Sequence, residues 1–169
     1  MGFGTHPHDN MEIITIVLDG ELEHHDSMGN GSVIHSGEVQ VMSAGTGIRH
    51  SEFNHSQKNE VSLLQIWVFP DKKNVEPRYD QTSFGEEEMY NKWRTVVSPD
   101  GSDHSLWIHQ QAWFSLGVFE AGSTFSYQLQ KAGNGVYVFL ISGELDVASE
   151  TLNPRDALCI EEINSEITM

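Results

Sequence analysis

The sequence predicts an all-β protein built as a barrel or jelly roll, and three observations carry that expectation. Short segments rich in Val, Ile, Phe and Thr are punctuated by Gly and Asn, long runs of helical periodicity are missing, and hairpin-type turns recur at close intervals.

In order, residues 11–18, 21–26, 32–35, 38–43, 50–55 and 61–69 read as strands. Turns are expected at Asp19-Gly20, Met28-Gly29-Asn30-Gly31, Ser36-Gly37 and Ala44-Gly45-Thr46-Gly47, where Gly and Asn tolerate the backbone angles a tight reversal needs. From Pro70 to Trp93 the composition shifts to Asp, Lys, Asn, Glu and Pro and the apolar alternation fades. This stretch is the expected linker, with one helical turn around Gly85-Glu86-Glu87-Glu88-Met89. Strand-like segments resume at 94–98, 105–109, 113–119, 124–130, 136–142, 144–148 and 157–161. The expected organisation is a first domain over 1–70, a linker over 71–93 and a second domain over 94–169. A short internal repeat, Ile16-Val17-Leu18-Asp19-Gly20-Glu21-Leu22 against Phe139-Leu140-Ile141-Ser142-Gly143-Glu144-Leu145, agrees with two similar halves. An offset of 123 between them carries His6 and His8 onto Leu129 and Lys131, and no His follows His109, so a metal site is expected in the first half only.

Composition narrows the function. The 169 residues hold 9 Lys plus Arg against 25 Asp plus Glu, a formal charge of −16. A field of that sign repels phosphate backbones, so direct nucleic-acid binding is not expected. Cys159 is the one cysteine, which rules out an intrachain disulfide. No apolar run approaches membrane-spanning length and the N-terminus has no basic region ahead of an apolar one, so a cytoplasmic protein without membrane contact is expected.

The chemistry is concentrated in two zigzags, His6-Pro7-His8 and His50-Ser51-Glu52. Side chains at i and i+2 of a strand point to the same face. If the two strands lie side by side, three imidazoles and one carboxylate converge, a mixed nitrogen and oxygen set suited to a divalent transition metal. Such a set neutralises one unit of a dication's charge and leaves coordination positions open, so the ion stays Lewis-acidic. An enolate or phenolate oxygen is a suitable guest, and Glu52 would act as both ligand and base.

The same residues carry a family resemblance. His6-Pro7-His8 with Glu12 and Gly20 resembles the first cupin motif, and Gly37 with Ala44-Gly45-Thr46-Gly47-Ile48-Arg49-His50-Ser51-Glu52 resembles the second. The wording Gly2-Phe3-Gly4-Thr5-His6-Pro7-His8, Asp26-Ser27-Met28-Gly29-Asn30 and Met42 through Glu52 resembles the pirin family, in its bacterial quercetin 2,3-dioxygenase-like branch. The similarity continues through Gln65-Ile66-Trp67 to Pro77-Arg78-Tyr79. The resemblance implies a bicupin, two facing jelly-roll β-barrel domains of which only the N-terminal one holds metal. It implies His6, His8, His50 and Glu52 as ligands, with iron expected and copper, manganese, nickel or zinc as alternatives. Glu12 matches the carboxylate that ligates metal in many other cupins and is given a back-up or supporting role, an inward-facing polar residue hydrogen-bonded near the site being the stronger expectation. Pirin-like proteins carry a segment ahead of this motif whereas Met1 directly precedes it here, so open strand edges are expected.

The implied activity is dioxygenolytic opening of the central ring of a flavonol such as quercetin, using molecular oxygen and releasing carbon monoxide beside a depside. Phe3, Ile14, Met42, Phe53 and Trp67 are candidates to receive the flat substrate, with barrel-core packing the stronger expectation for all but Phe3. The remaining histidines, His24, His25, His35, His55, His104 and His109, are expected to be solvated or hydrogen-bonded rather than ligands. The alternative function is a metal- and redox-sensing regulator that binds a transcription or metabolic protein partner.

Overall fold

The computed structural model describes residues 1–163 and 166–169, and these are almost entirely strand and turn. The chain divides into two compact units, Met1–Val118 and Phe119–Met169.

In the first unit the strands are β1 (Gly2–His8), β2 (Glu12–Asp19), β3 (Glu21–Asp26), β4 (Gly31–His35), β5 (Glu38–Ser43), β6 (Ile48–Asn54), β7 (Ser62–Val68) and β8 (Arg78–Ser83). They make two antiparallel four-stranded sheets, a front sheet in the order β1-β6-β3-β4 and a back sheet in the order β7-β2-β5-β8. Three further strands, β9 (Arg94–Ser98), β10 (Leu106–Trp107) and β11 (Phe114–Leu116), form a small mixed sheet. This is an all-β, cupin-type architecture.

Central strand β2 is buried on both faces because Ile and Val occupy both its odd and its even positions. Ile14 and Ile16 face outward with Val39 and Val41, and pack on Val96, Val97, Leu106 and Ile108 of the segment that follows. Ile13 and Val17 face inward: Ile13 joins Met42, Ala44 and Ile48, and Val17 joins Leu22 and Ile34. Each inward cluster draws from both sheets, so the two sheets share one interior with an apolar plug at either end. Between the plugs the back sheet's inner row is polar, with Thr15 paired to Gln40 and Gln65 and Gln40 paired to Gln81.

Residues 71–93, expected to be a linker, supply β8, which pairs with β5 from Glu38–Ser83 to Ser43–Arg78. Polar Arg78, Asp80, Gln81 and Thr82 hid this strand, because an edge strand takes its order from backbone pairing rather than from apolar alternation. The expected helical turn is a 3-10 turn at Glu86–Glu88. Among the described residues the second unit shows three two-stranded ladders: β12 (Ser126–Gln128) with β17 (Glu166–Thr168), β13 (Val136–Phe139) with β16 (Ala157–Ile160), and β14 (Leu145–Val147) with β15 (Glu150–Leu152). No helix among the described residues is long and apolar enough to cross a membrane.

Candidate metal centre

The front sheet lays its donors out by register. β1 runs beside β6 with His6 opposite His50 and His8 opposite Ile48, and β3 runs along the other side of β6 with His24 opposite Glu52 and Asp26 opposite His50. Opposed residues of an antiparallel pair share a face, so His6, His8, His50, Glu52 and His24 all face the interior. Rings of His6, His8 and His50 stand 4.4 to 5.0 Å apart between centroids, and Nε2 of His50 lies 2.9 Å from Nε2 of His6.

The three imidazoles expected to converge do so, with donor atoms all within 4.8 Å of one another. Glu52 meets that criterion in a second, overlapping group, His24, His50 and Glu52. His24 was expected to be an ordinary solvated or hydrogen-bonded histidine. It is fully buried, and the sign of this in the sequence is the inward alternation Leu22, His24, Asp26 along β3.

Hydrogen bonds set the donors' states. Nδ1 of His6 donates to the Gly4 carbonyl at 2.9 Å, which leaves the Nε2 lone pair free to coordinate. Burial, then the positive field of neighbouring His6, His24 and His8, lowers the His50 pKa to about 3. Burial and then His6 lower that of His8, and burial lowers that of His24 against the opposing pull of Asp26. These rings are therefore neutral at physiological pH, the form a metal requires. Burial raises the Glu52 pKa, opposed by Gln65 and His6. Gln65 Nε2 donates to both carboxylate oxygens, at 3.0 and 2.8 Å, and the Trp67 indole N–H donates to Gln65 Oε1 at 3.3 Å. Nδ1 of His50 and Nδ1 of His24 are buried without a hydrogen-bond partner. Neutral, converging imidazoles, a buried carboxylate and unpaired ring nitrogens fit a divalent transition metal.

The candidate substrate residues separate by face. Trp67 packs edge-on against His8 at 5.0 Å between centroids and is 55% exposed, which puts it at a mouth beside the donors. Phe3 lies opposite Glu52 in register and is exposed. Met42 is fully buried beneath the donors with Ile13 and Ile48. Ile14 packs on the other side of the back sheet, away from the donors, because β2 alternation turns it there. Phe53, next to Glu52, points to the outer face of the front sheet by the same alternation. Glu12, expected to face inward, lies instead on the back sheet's outward face by β2 alternation, where it accepts from Ser43 Oγ at 2.7 Å and meets His109 Nδ1 at 3.2 Å.

The family described as "Pirin" matches residues 1–68 and that described as "Quercetinase C-terminal cupin domain" matches residues 95–168. A quercetin 2,3-dioxygenase of Escherichia coli strain K12 is 40% identical over 159 residues, covering 94% of this chain and 67% of that protein. The protein of the same description from Escherichia coli O157:H7 is 52% identical over 159 residues with the same coverage. The crystal structure of YhhW from Escherichia coli matches with a TM-score of 0.92 at 38% identity, covering 99% of this chain and 70% of that one. The bacterial pirin YhhW in complex with nickel(II) matches at 0.89 and 36%, covering 99% and 74%. The fold, the histidine cluster and these similarities together show that the chain belongs to the pirin family of the cupins.

Proposed function

We propose that the protein is a metal-dependent quercetin 2,3-dioxygenase-like enzyme that opens the central ring of a flavonol with molecular oxygen and releases carbon monoxide. The observation that carries this reading is the convergence of His6, His8 and His50 beside buried Glu52, with Trp67 at the mouth. His6, His8, His50 and Glu52 are the proposed ligands, in a metal-bearing first domain over 1–70 with a metal-free second domain over 94–169. These residues would hold a divalent transition metal, iron in this reading, which when bound would supply Lewis acidity toward an enolate-type oxygen.

The chain's own residues do the rest. Trp67 and Phe3 offer aromatic faces to a flat ring system, and Met42 closes the floor. Glu52 takes the proton from the substrate's 3-hydroxyl. In the metal-free chain burial raises its pKa above that of an exposed carboxylate, and Gln65 holds its oxygens in place. Flavonol plus dioxygen equals depside plus carbon monoxide, so the balance needs no further reductant.

Trp67, half in solvent and packed on His8, also favours a second reading, a metal- and redox-sensing regulator whose ion state reaches a surface that a protein partner touches. Elemental analysis of the isolated protein with an aerobic flavonol assay separates the two. His50→Ala is expected to lose bound metal and turnover together while the far-UV spectrum stays β-like. Glu52→Gln should keep more metal than His50→Ala yet lose roughly 10²-fold or more in rate. Turnover by metal-free protein contradicts the enzyme reading, and equal rates for Glu52→Gln and the parent remove the base.

A further inference from the structure

We propose that His24 is a metal-binding residue, giving the ion an inner position on His24, His50 and Glu52 that overlaps the outer position on His6, His8 and His50. The inference rests on the reading that this interior takes a divalent metal, and it adds a ligand outside both sequence zigzags.

Three observations carry it. The donor atoms of His24, His50 and Glu52 lie within 4.8 Å of one another and all three residues are buried. His24 has a fully buried ring whose Nδ1 has no hydrogen-bond partner. A buried ring nitrogen left unpaired is costly, so its persistence calls for a ligand. Finally, Nε2 of His24 faces Asp26 Oδ2 at 3.4 Å, with both side chains fully shielded. A carboxylate holding one ring nitrogen while the other has no protein partner is the kind of contact that orients metal-binding histidines.

Asp26 is itself anchored. Its Oδ1 accepts from the backbone N–H groups of Met28 (2.9 Å) and Asn30 (3.0 Å), and its Oδ2 accepts from the Asn30 amide at 2.7 Å. The turn after β3 thus holds Asp26, and Asp26 holds the His24 ring. His50 belongs to both groups, so the two positions are alternatives for one ion. The outer is nearer solvent, since His6 and His8 are partly exposed, and the inner adds the carboxylate.

Cobalt(II) titration of three proteins tests this, read by visible ligand-field absorption and by cobalt retained after desalting, with circular dichroism reporting the fold. The parent is expected to saturate at one ion. His6→Ala/His8→Ala should still saturate at one ion, with weaker affinity and a shifted spectrum. Adding His24→Gln to that background should weaken binding by roughly a further 10- to 100-fold. A folded double variant that takes up no cobalt overturns the inner position. Equal affinity with and without His24→Gln overturns the role of His24. Failure of the parent to bind cobalt is a separate result that removes the metal centre itself. Should the double variant not fold, His8→Ala with and without His24→Gln replaces it: weaker cobalt binding on adding His24→Gln supports the proposal, and equal affinity overturns it.

Discussion

Glu52 shows how one residue's state is set by opposing forces. Burial favours its neutral acid, while Gln65, donating to both oxygens, favours the carboxylate. Gln65→Leu removes those donors without opening a large hole. The metal-free protein should lose about 1–3 kcal/mol of stability, because the carboxylate is left 3% exposed without them. Denaturant melts of parent and variant check this, and an unchanged midpoint contradicts the clamp. The zigzag pairs His6/His8 and His50/Glu52 were legible in the sequence because side-chain alternation is local to one strand. His24 was harder to read, since its neighbours Glu23 and His25 bond to each other at the surface at 2.8 Å, and pairing with β6 settles that the Leu22, His24, Asp26 row faces the donors.

At the scale of elements, the donors are placed by two hydrogen-bonded ladders, β1 on β6 and β3 on β6, so anything that shifts β6 shifts every donor. The turn leading into β6 is pinned at Gly45, which holds a positive φ of 50° and whose carbonyl accepts from Asn10 N–H at 2.9 Å. A methyl group at that position would overlap the Val75 carbonyl, which also accepts from Thr46 N–H at 3.0 Å. Gly45→Ala should therefore cost about 2 kcal/mol or more and loosen metal binding without touching a donor. Thermal melts with and without added metal check this, and a variant matching the parent in both contradicts it. The strands of the front and back sheets rich in Val, Ile and Leu were readable from composition. β8 was not, because Arg78, Asp80 and Gln81 carry no apolar signal, and of β1 only the His6-Pro7-His8 zigzag was legible, since its residues are mostly exposed.

For the whole molecule, burial of neutral imidazoles couples stability to pH. His8, His24 and His50 have pKa values below the ordinary 6.5, with His50 at about 3, so the unfolded chain binds protons more readily than the folded one between those limits. Stability of the metal-free protein should be full above about 6.5 and fall as pH drops toward 3. Glu52, with its pKa raised, works in the opposite direction as pH rises through its folded value. Urea midpoints at pH 7 and pH 5 test this; a midpoint that is flat or higher at pH 5 contradicts it. Stability is also uneven along the chain. Residues 119–169 rest on three two-stranded ladders, whereas β2 is hydrogen-bonded on both sides inside a four-stranded sheet. Amide exchange should be faster in Val136–Phe139 than in Ile13–Val17, and equal protection would refute that ordering.

From the sequence alone came the strand-rich class, the two alternating donor pairs and the exposed place of Phe3, whereas Trp67, expected in the barrel core, is exposed beside His8. Only the tertiary structure decided that Glu52 groups with His24, that Ile14 faces away, and that residues 78–83 complete a sheet. The reason is that side-chain alternation is a property of each strand by itself, whereas the neighbours and register of a strand are settled by long-range pairing and burial.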